Sequence, residues 1–492
     1  MNKAILRISL AVLAMFVLLL LNINYVQAFE GASLANKPLN ARIFDEQFSY
    51  QRGSILANGD GTDLKIAYSK LKQRQYHRVY PQGPEYAPIT GFHTIFSNTG
   101  VEGAEDSELA GNDPRLAVHN FTSLLTGKSK QGATVALTIS PTAQNAAYQA
   151  LQQDGGHQAA AVAINPKTGA ILAMASVPTF NPNELTTFDG TTLNKVYNRL
   201  AHSKAQPLQN WAVTPNYPPG SSFKIVTSSA AFTRGLVASP STTVPAPQPL
   251  KLPNGNLLNN DGDETCFDGN PPIINAFALS CNTAFAKLGI KLGAPALRNQ
   301  AELFGVNKTF NIPFQVTPGS FPAASGWTDP SFAALSAIGQ FDDEMSPLQE
   351  ALFSAAIANG GTLMYPYMVQ QVIAPGLAVI QNAAPKVFTQ AVSAQVASNV
   401  KLMMLQVTQS SFGTAHATAG PQATGGITIY GKTGTAENGV NNSATNDAVF
   451  TCFVTGPKPI AIGVIVKGGG FGADAAAPIA VQIIKAYEAA RS

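Results

Sequence analysis

Apolar and polar positions follow two different textures along this chain. From residue 158 onward, AAAVAINPKTGAILAMAS sets two apolar runs on either side of Asn165-Pro166-Lys167-Thr168-Gly169. The pattern predicts a β-hairpin whose first corner is set by Pro166 and whose positive φ is supplied by Gly169. Helical spacing of apolar residues follows in FKIVTSSAAFTRGL, NTAFAKLGIKLG and SPLQEALFSAAIANGG. Strand-like runs return in ITIYGKTG, DAVFTCFVTG and PIAIGVIVKGG, and APIAVQIIKAYEAAR closes the chain as an amphipathic helix. A strand pair, a helical block, three strands and a closing helix predict an α+β architecture built on one antiparallel sheet. Residues 30–150 differ: they are turn-rich, carry scattered charge, and show no long amphipathic pattern before PTAQNAAYQALQQ.

The N-terminus adds a segment of another kind. Lys3 and Arg7 precede the uncharged run Ile8 to Leu21, which reaches about 20 residues near Ala28 if Asn22 and Asn24 are tolerated, enough to span a bilayer. Val26-Gln27-Ala28 also fits a weak signal-peptide cleavage site, so anchor and cleaved leader both stand on the residues alone, with length favouring the anchor. Under either reading the basic residues stay inside and the chain beyond residue 30 is exported. No cysteine lies near position 28, which argues against a lipid-anchored start.

With 492 residues, two or more domains are expected; 45% hydrophobic and 12% charged residues describe a folded chain with a substantial core. A net charge of +3 without a basic run gives nucleic-acid binding no electrostatic support. Six histidines, with neither H-e-x-x-H nor C-x-x-C spacing, suggest no zinc site. Export permits, without requiring, a disulfide between Cys266 and Cys281, which would close a loop worth about 3 kcal/mol. Cys452, inside a strand-like run, reads as a buried free thiol.

Three short motifs carry chemistry. In YPPGSSFKIV, Ser221 and Lys224 stand three apart at a helix start, placing a hydroxyl beside an amine where free N–H groups stabilise negative charge. Lys224 must be neutral to accept a proton, which requires burial or a neighbouring cation. The same S-x-x-K spacing at Ser69/Lys72 and Ser398/Lys401 reads as ordinary solvated surface. Ser280-Cys281-Asn282 precedes another predicted helix. It reads either as a helix cap or as a proton relay through Ser280 with Asn282 orienting a lysine or a substrate amide. Lys432-Thr433-Gly434-Thr435 ends an alternating strand. There Lys432 and the threonine hydroxyls can hold a carboxylate, and Gly434 marks close approach of another backbone. The N–H of Thr435 with that of Ser221 can form an oxyanion hole, and an extended substrate can pair along the strand.

S-x-x-K, S-x-N and K-T-G in this order are far more specific than any one of them, and form the motif set shared by β-lactamases and penicillin-binding proteins. The chain resembles a class B penicillin-binding protein over nearly its whole length, in the penicillin-binding protein A-like branch of the actinobacteria. QRGSILA and TGFHTIFSNTGVEGAEDSELAG resemble segments of that family's N-terminal pedestal. VALTISPTAQ, AINPKTGAILAMASVPTFNPN, AIGQFDDEMSPLQ and AIANGG are similar to stretches of its transpeptidase domain. The resemblance implies an uncleaved anchor over 1–29, a pedestal or dimerisation-like domain over 30–150, and a penicillin-binding transpeptidase domain over 151–492. It implies a single-pass protein of the bacterial cytoplasmic membrane with its catalytic domain outside. Ser221, activated by Lys224, would attack the penultimate D-alanyl carbonyl of a stem peptide. Ser280 would shuttle the proton, Asn282 would contact Lys224 and the substrate amide, and Lys432, Thr433 and Thr435 would hold the terminal carboxylate. An amine of a neighbouring stem peptide would then resolve the acyl-enzyme. β-Lactams are the expected mimics of the donor, a multispanning glycan polymerase is the expected partner, and no cofactor or metal is implied. Two positions depart from the family pattern: Phe341, where a second glycine is frequent, and Cys281 inside S-x-N.

Rival readings differ in one feature each. A class A β-lactamase needs a deacylating glutamate in an E-x-x-L-N-type segment, which is lacking. A bifunctional enzyme needs a glycosyltransferase domain, for which 30–150 is too short. A D,D-carboxypeptidase would use water as acceptor, and a β-lactam sensor or scaffold would bind without efficient turnover. GITIYGKT, 426–433, fits the phosphate-loop pattern, but ITIY reads as strand and GTAENGVNNS as turn, where a phosphate loop needs turning backbone that leads into a helix.

Overall fold

The three C-terminal strand patterns and the 158–177 hairpin form one sheet. A computed structural model describes residues 2–30, 47–117, 129–214, 217–323, 329–438 and 444–490. In it, Tyr430–Asn438, Ala444–Val454, Ile460–Val466, Ala159–Ile164 and Ile171–Val177 lie side by side in that order, antiparallel throughout. At the hairpin corner the Asn165 side chain accepts from the Lys167 N–H at 2.9 Å, and Gly169 adopts φ 83°. The first K-T-G is therefore a turn, as its residues predict.

Helices cover both faces, which is why Ala159–Ile164 and Ile460–Val466 are buried at every position. On one face lies Pro347–Ala358, whose residues from Pro347 to Ile357 are all buried, as expected of a helix without a solvated stripe. It approaches the sheet over Gly463, where a Cβ would collide with the Pro347 carbonyl and the Ala351 N–H. Pro141–Gln153 and the closing helix Ala476–Ala489 cover the other face and pack against each other. The remaining predicted helices appear as Lys224–Thr233 and Asn282–Leu303; the latter bends at Gly293, φ 72°, where the predicted segment ends.

The N-terminal region has its own sheet, and packing crosses residue 150 in both directions. Pro141–Gln153 sends Ala143, Ala147, Ala150 and Leu151 into the core of the five-stranded sheet. In the other direction, Val369–Ile373 and Val379–Asn382 return to complete the N-terminal sheet, ordered Val379–Asn382, Val369–Ile373, Thr134–Leu137, Ile55–Ala57, Leu64–Lys72 and Gln75–Val79. VQQVI and VIQN are short, polar and half exposed, so no apolar alternation announces them. Glu102 braces this region: it accepts from Arg52 Nε at 2.7 Å, from Arg78 Nε at 2.5 Å and from the Tyr80 hydroxyl at 3.1 Å. Burial alone would raise its pKa, but the two guanidiniums hold it at about 2.

Asn2–Tyr25 is helical, and Ile5–Glu30, with none of its residues buried, is long and apolar enough to cross a membrane. Cys266 and Cys281 are bridged, with Cα atoms 6.0 Å apart. Cys452 is a buried free thiol whose pKa burial pushes up. The tight crossing at Gly463 yields a test. Gly463→Val should overpack the contact with Pro347–Ala358 and cost about 1–3 kcal/mol, read as a lowered thermal midpoint with unchanged secondary structure.

Candidate active site

The chain enters the site through a constrained elbow. Tyr217 and Met345 exchange two backbone hydrogen bonds at 2.6 Å, fixing the chain just before Pro218 and Pro219. Gly220 then takes φ 55° and donates to the Gly339 carbonyl at 2.9 Å; a Cβ there would lie 2.6 Å from the Thr435 carbonyl oxygen. Only glycine lets the elbow sit this close to the strand beside it. Gly220–Phe223 is one 3₁₀ turn, and the α-helix starts at Lys224. Side chains three apart eclipse in a 3₁₀ turn, so the Ser221 hydroxyl and the Lys224 amine meet at 2.9 Å.

The partners of the Lys224 amine decide what it can do. It lies 2.7 Å from the Ser280 carbonyl, 2.7 Å from Asn282 Oδ1, and 3.2 Å from the Ser280 hydroxyl. The carbonyl and the amide oxygen only accept, so each takes a proton from the nitrogen. A neutral amine then has its lone pair left for Ser221. Burial pushes the pKa of Lys224 down to about 7, with the Asp261 carboxylate pulling in the opposite sense. Burial thus brings the accepting form of the amine within reach near neutral pH.

Ser280 reaches Lys224 by adopting φ 64°, a left-handed conformation costly for a non-glycine residue, between the helices Ile273–Ala278 and Asn282–Leu303. The helix-cap reading of Ser280 and Asn282 does not hold. Asn260 Oδ1 caps the helix instead, accepting from the Thr283 N–H at 3.0 Å. Asn282 is further held by donating from Nδ2 to Asp261 at 3.1 Å.

The strand Tyr430–Asn438 forms the third wall. Lys432, opposite Thr451 on the next strand, is fully buried and donates to the Ser280 hydroxyl and to the Thr433 carbonyl, both at 2.9 Å. Burial and then the nearby Lys224 charge push its pKa well below the usual lysine value. Neither lysine takes part in an ion pair among the described residues. Thr433 shares a 2.7 Å hydroxyl contact with Thr414. Gly434 does mark a close backbone approach, but of the chain itself: a Cβ there would lie 2.6 Å from the Pro219 carbonyl.

A cleft of about 310 Å³ opens over this cluster, lined among others by Ser221, Ser280, Thr433, Thr435, Asp261 and Phe471. Ser221, Ser280, Thr433 and Thr435 line it, whereas Lys224, Asn282, Lys432 and Gly434 do not. The two other S-x-x-K pairs lie elsewhere, on the strand Leu64–Lys72 and the helix Ala394–Gln409. Sequence reading missed Asn260, Asp261 and Thr414, which come from loops without any regular spacing to the motifs.

Comparison with known proteins places these features in context. Residues 159–485 match the model described as the penicillin binding protein transpeptidase domain, and residues 52–135 that of the penicillin binding protein A dimerisation domain. The peptidoglycan D,D-transpeptidase PbpA of Mycobacterium tuberculosis is 37% identical over 504 residues, covering 99% of this chain and 99% of that protein. PbpA of Mycolicibacterium smegmatis is 37% identical over 96% of this chain and 94% of its own length. The solved ceftriaxone acyl-enzyme complex of penicillin-binding protein A from M. tuberculosis superposes with a TM-score of 0.83 at 35% identity, covering 90% of this chain and 99% of that one.

The Lys224 pKa sets a pH test. A base acts only when unprotonated, so acylation by a β-lactam should rise as pH increases through about 7 and level off above it. Asp261→Asn removes the charge that favours the protonated amine, so stopped-flow acylation of this variant should show the rise at lower pH.

Proposed function

Because the chain belongs to the penicillin-binding protein transpeptidase family, we propose that it is a peptidoglycan D,D-transpeptidase acting through an acyl-enzyme on Ser221. The observation that carries this reading is the Lys224 amine, whose two obligate acceptors leave its third position to the Ser221 hydroxyl. Ser221 Oγ attacks the penultimate D-alanyl carbonyl, and its proton passes to Lys224. The amide C–N bond then breaks, and the departing D-alanine nitrogen takes a proton through Ser280, which bridges Lys224 and Lys432. An acceptor amine attacks the ester, gives up a proton by the reverse route, and releases Ser221 as the new amide forms.

Charge in the cleft supports the same assignment. Lys432 has no carboxylate partner in an ion pair among the described residues, and the terminal carboxylate of the donor peptide supplies one, with Thr433 and Thr435 as hydrogen-bond donors. Gly220 packs against the Thr435 backbone, and the Ser221 N–H at the start of the 3₁₀ turn would join the Thr435 N–H in stabilising an oxyanion. β-Lactams present a strained amide and a carboxylate at the same spacing and acylate the same serine.

Location and partners follow from the N-terminus. Lys3 and Arg7, ahead of the uncharged run Ile8 to Leu21, orient the catalytic part outside the membrane, where its substrate lies. The region 30–150, together with the strands it shares with 369–382, acts as the pedestal between membrane and catalytic sheet. A multispanning glycan polymerase is the partner this arrangement suits, since new glycan strands emerge at the same membrane face.

Ser221→Ala should abolish covalent labelling by fluorescent penicillin, and Lys224→Ala should slow it by ~10²–10⁴-fold. With a donor pentapeptide and an acceptor amine supplied together, the wild-type protein should give cross-linked dimer; release of tetrapeptide alone would show a carboxypeptidase.

A further inference from the structure

Behind the nucleophile, on the side away from the cleft, a carboxyl group is buried against the elbow. Glu350 belongs to the fully buried helix Pro347–Ala358 and is itself 0% exposed. Its Oε1 lies 2.9 Å from the hydroxyl of Ser222, the residue after the nucleophile. That hydroxyl also lies 2.8 Å from the Pro219 carbonyl, on the other side of Gly220 and Ser221. A serine has one proton to give. A carbonyl oxygen can only accept, so when Ser222 donates to Pro219 its oxygen has to receive a proton from Glu350. That arrangement requires the carboxyl to be neutral.

We propose that Glu350, as a neutral carboxylic acid, is a positioning residue for acylation. It donates to Ser222, which donates to Pro219, and this chain locks the elbow from which Ser221 attacks. The same residue braces the opposite wall. Its backbone carbonyl accepts from Thr451 Oγ1 at 2.6 Å, and Thr451 lies opposite Lys432 across the two strands. One buried residue thus ties the elbow and the K-T-G strand to the central helix. Burial is the main influence on the carboxyl and pushes its pKa up to about 8, tempered by Ser222. Its other oxygen, Oε2, receives no hydrogen bond from the described residues, a situation a neutral acid tolerates far better than a carboxylate. Ionised, Glu350 would draw the Ser222 proton to itself and release the Pro219 carbonyl.

This role rests on Ser221 being the acylated residue. The experiment measures penicillin acylation, separating binding from the chemical rate constant, together with the melting temperature of the full-length protein. Four variants are compared: Glu350→Gln, Glu350→Leu, Ser222→Ala and Ser221→Ala. Glu350→Gln keeps a neutral donor of the same shape and should acylate within about twofold of wild type. Glu350→Leu should melt at or above the wild-type temperature yet acylate at least about tenfold more slowly, the loss falling on the chemical step and not on binding. Ser222→Ala, which perturbs packing least, should show the same split and decides the matter if Glu350→Leu does not fold. The proposal is overturned if Ser222→Ala acylates at the wild-type rate, if folded Glu350→Leu does so, or if Glu350→Gln is as slow as Glu350→Leu. Retained label in Ser221→Ala would instead remove the nucleophile assignment, so the two failures are distinct.

Discussion

The site depends on a buried amine with two obligate acceptors. Lys224 would hold its proton at neutral pH in water, and nothing nearby would then take the proton of a serine. Burying the nitrogen lowers its pKa, and fixing the Ser280 carbonyl and Asn282 Oδ1 on it directs what remains towards Ser221. Several otherwise costly features serve this geometry. Ser280 accepts a left-handed backbone so that both its carbonyl and its hydroxyl reach the amine. Gly220 lets the elbow pass within contact of the K-T-G strand, and a 3₁₀ turn, not an α-helical one, eclipses Ser221 with Lys224.

Placing Lys432 behind the same hydroxyl raises the electrostatic stakes. Two amines joined through Ser280 cannot both be comfortably charged in a dry site, and after burial the Lys224 charge further loosens the hold of Lys432 on its proton. On the proposed reading, a substrate carboxylate arriving beside Lys432 would reverse that balance by favouring charge on Lys432, and would be held while the lone pair of Lys224 stayed available. The scaffold suits such a site because its rigid parts surround it: sheet strand on one side, the bent helix from Asn282 on another, and the buried helix Pro347–Ala358 beneath. The disulfide joins the loop that carries Asp261 to the residue beside Ser280, so the outer partner of Asn282 is covalently anchored near its place.

Much of this was legible from spacing. The hairpin at 165–169, the antiparallel strands of the C-terminal third and the helix at 347–358 each follow from local periodicity, and the α+β architecture with them. Ser221 with Lys224 could be read because their contact is local, three residues along one turn. The meeting of Ser280, Asn282 and Lys432 was legible only through the family resemblance, since long-range contacts leave no local period. Asn260, Asp261 and Thr414 were invisible for that reason: each sits in a loop and acts on a motif from outside it. Glu350 was hidden differently, as one polar letter in SPLQEALFSAAIANGG that a helix pattern treats as solvent-facing. VQQVI and VIQN, which return to the N-terminal sheet, were not legible because they are too short and polar to announce strands.

The protonation of Lys224 is the most direct measurement of this account. Lysine labelled with ¹³C at Cε, with the Lys224 signal assigned through Lys224→Arg, can be titrated in the folded protein by NMR. A midpoint near 7 is expected for this one side chain. A midpoint near 10, that of an ordinary solvated lysine, would contradict it and would require a different base for Ser221.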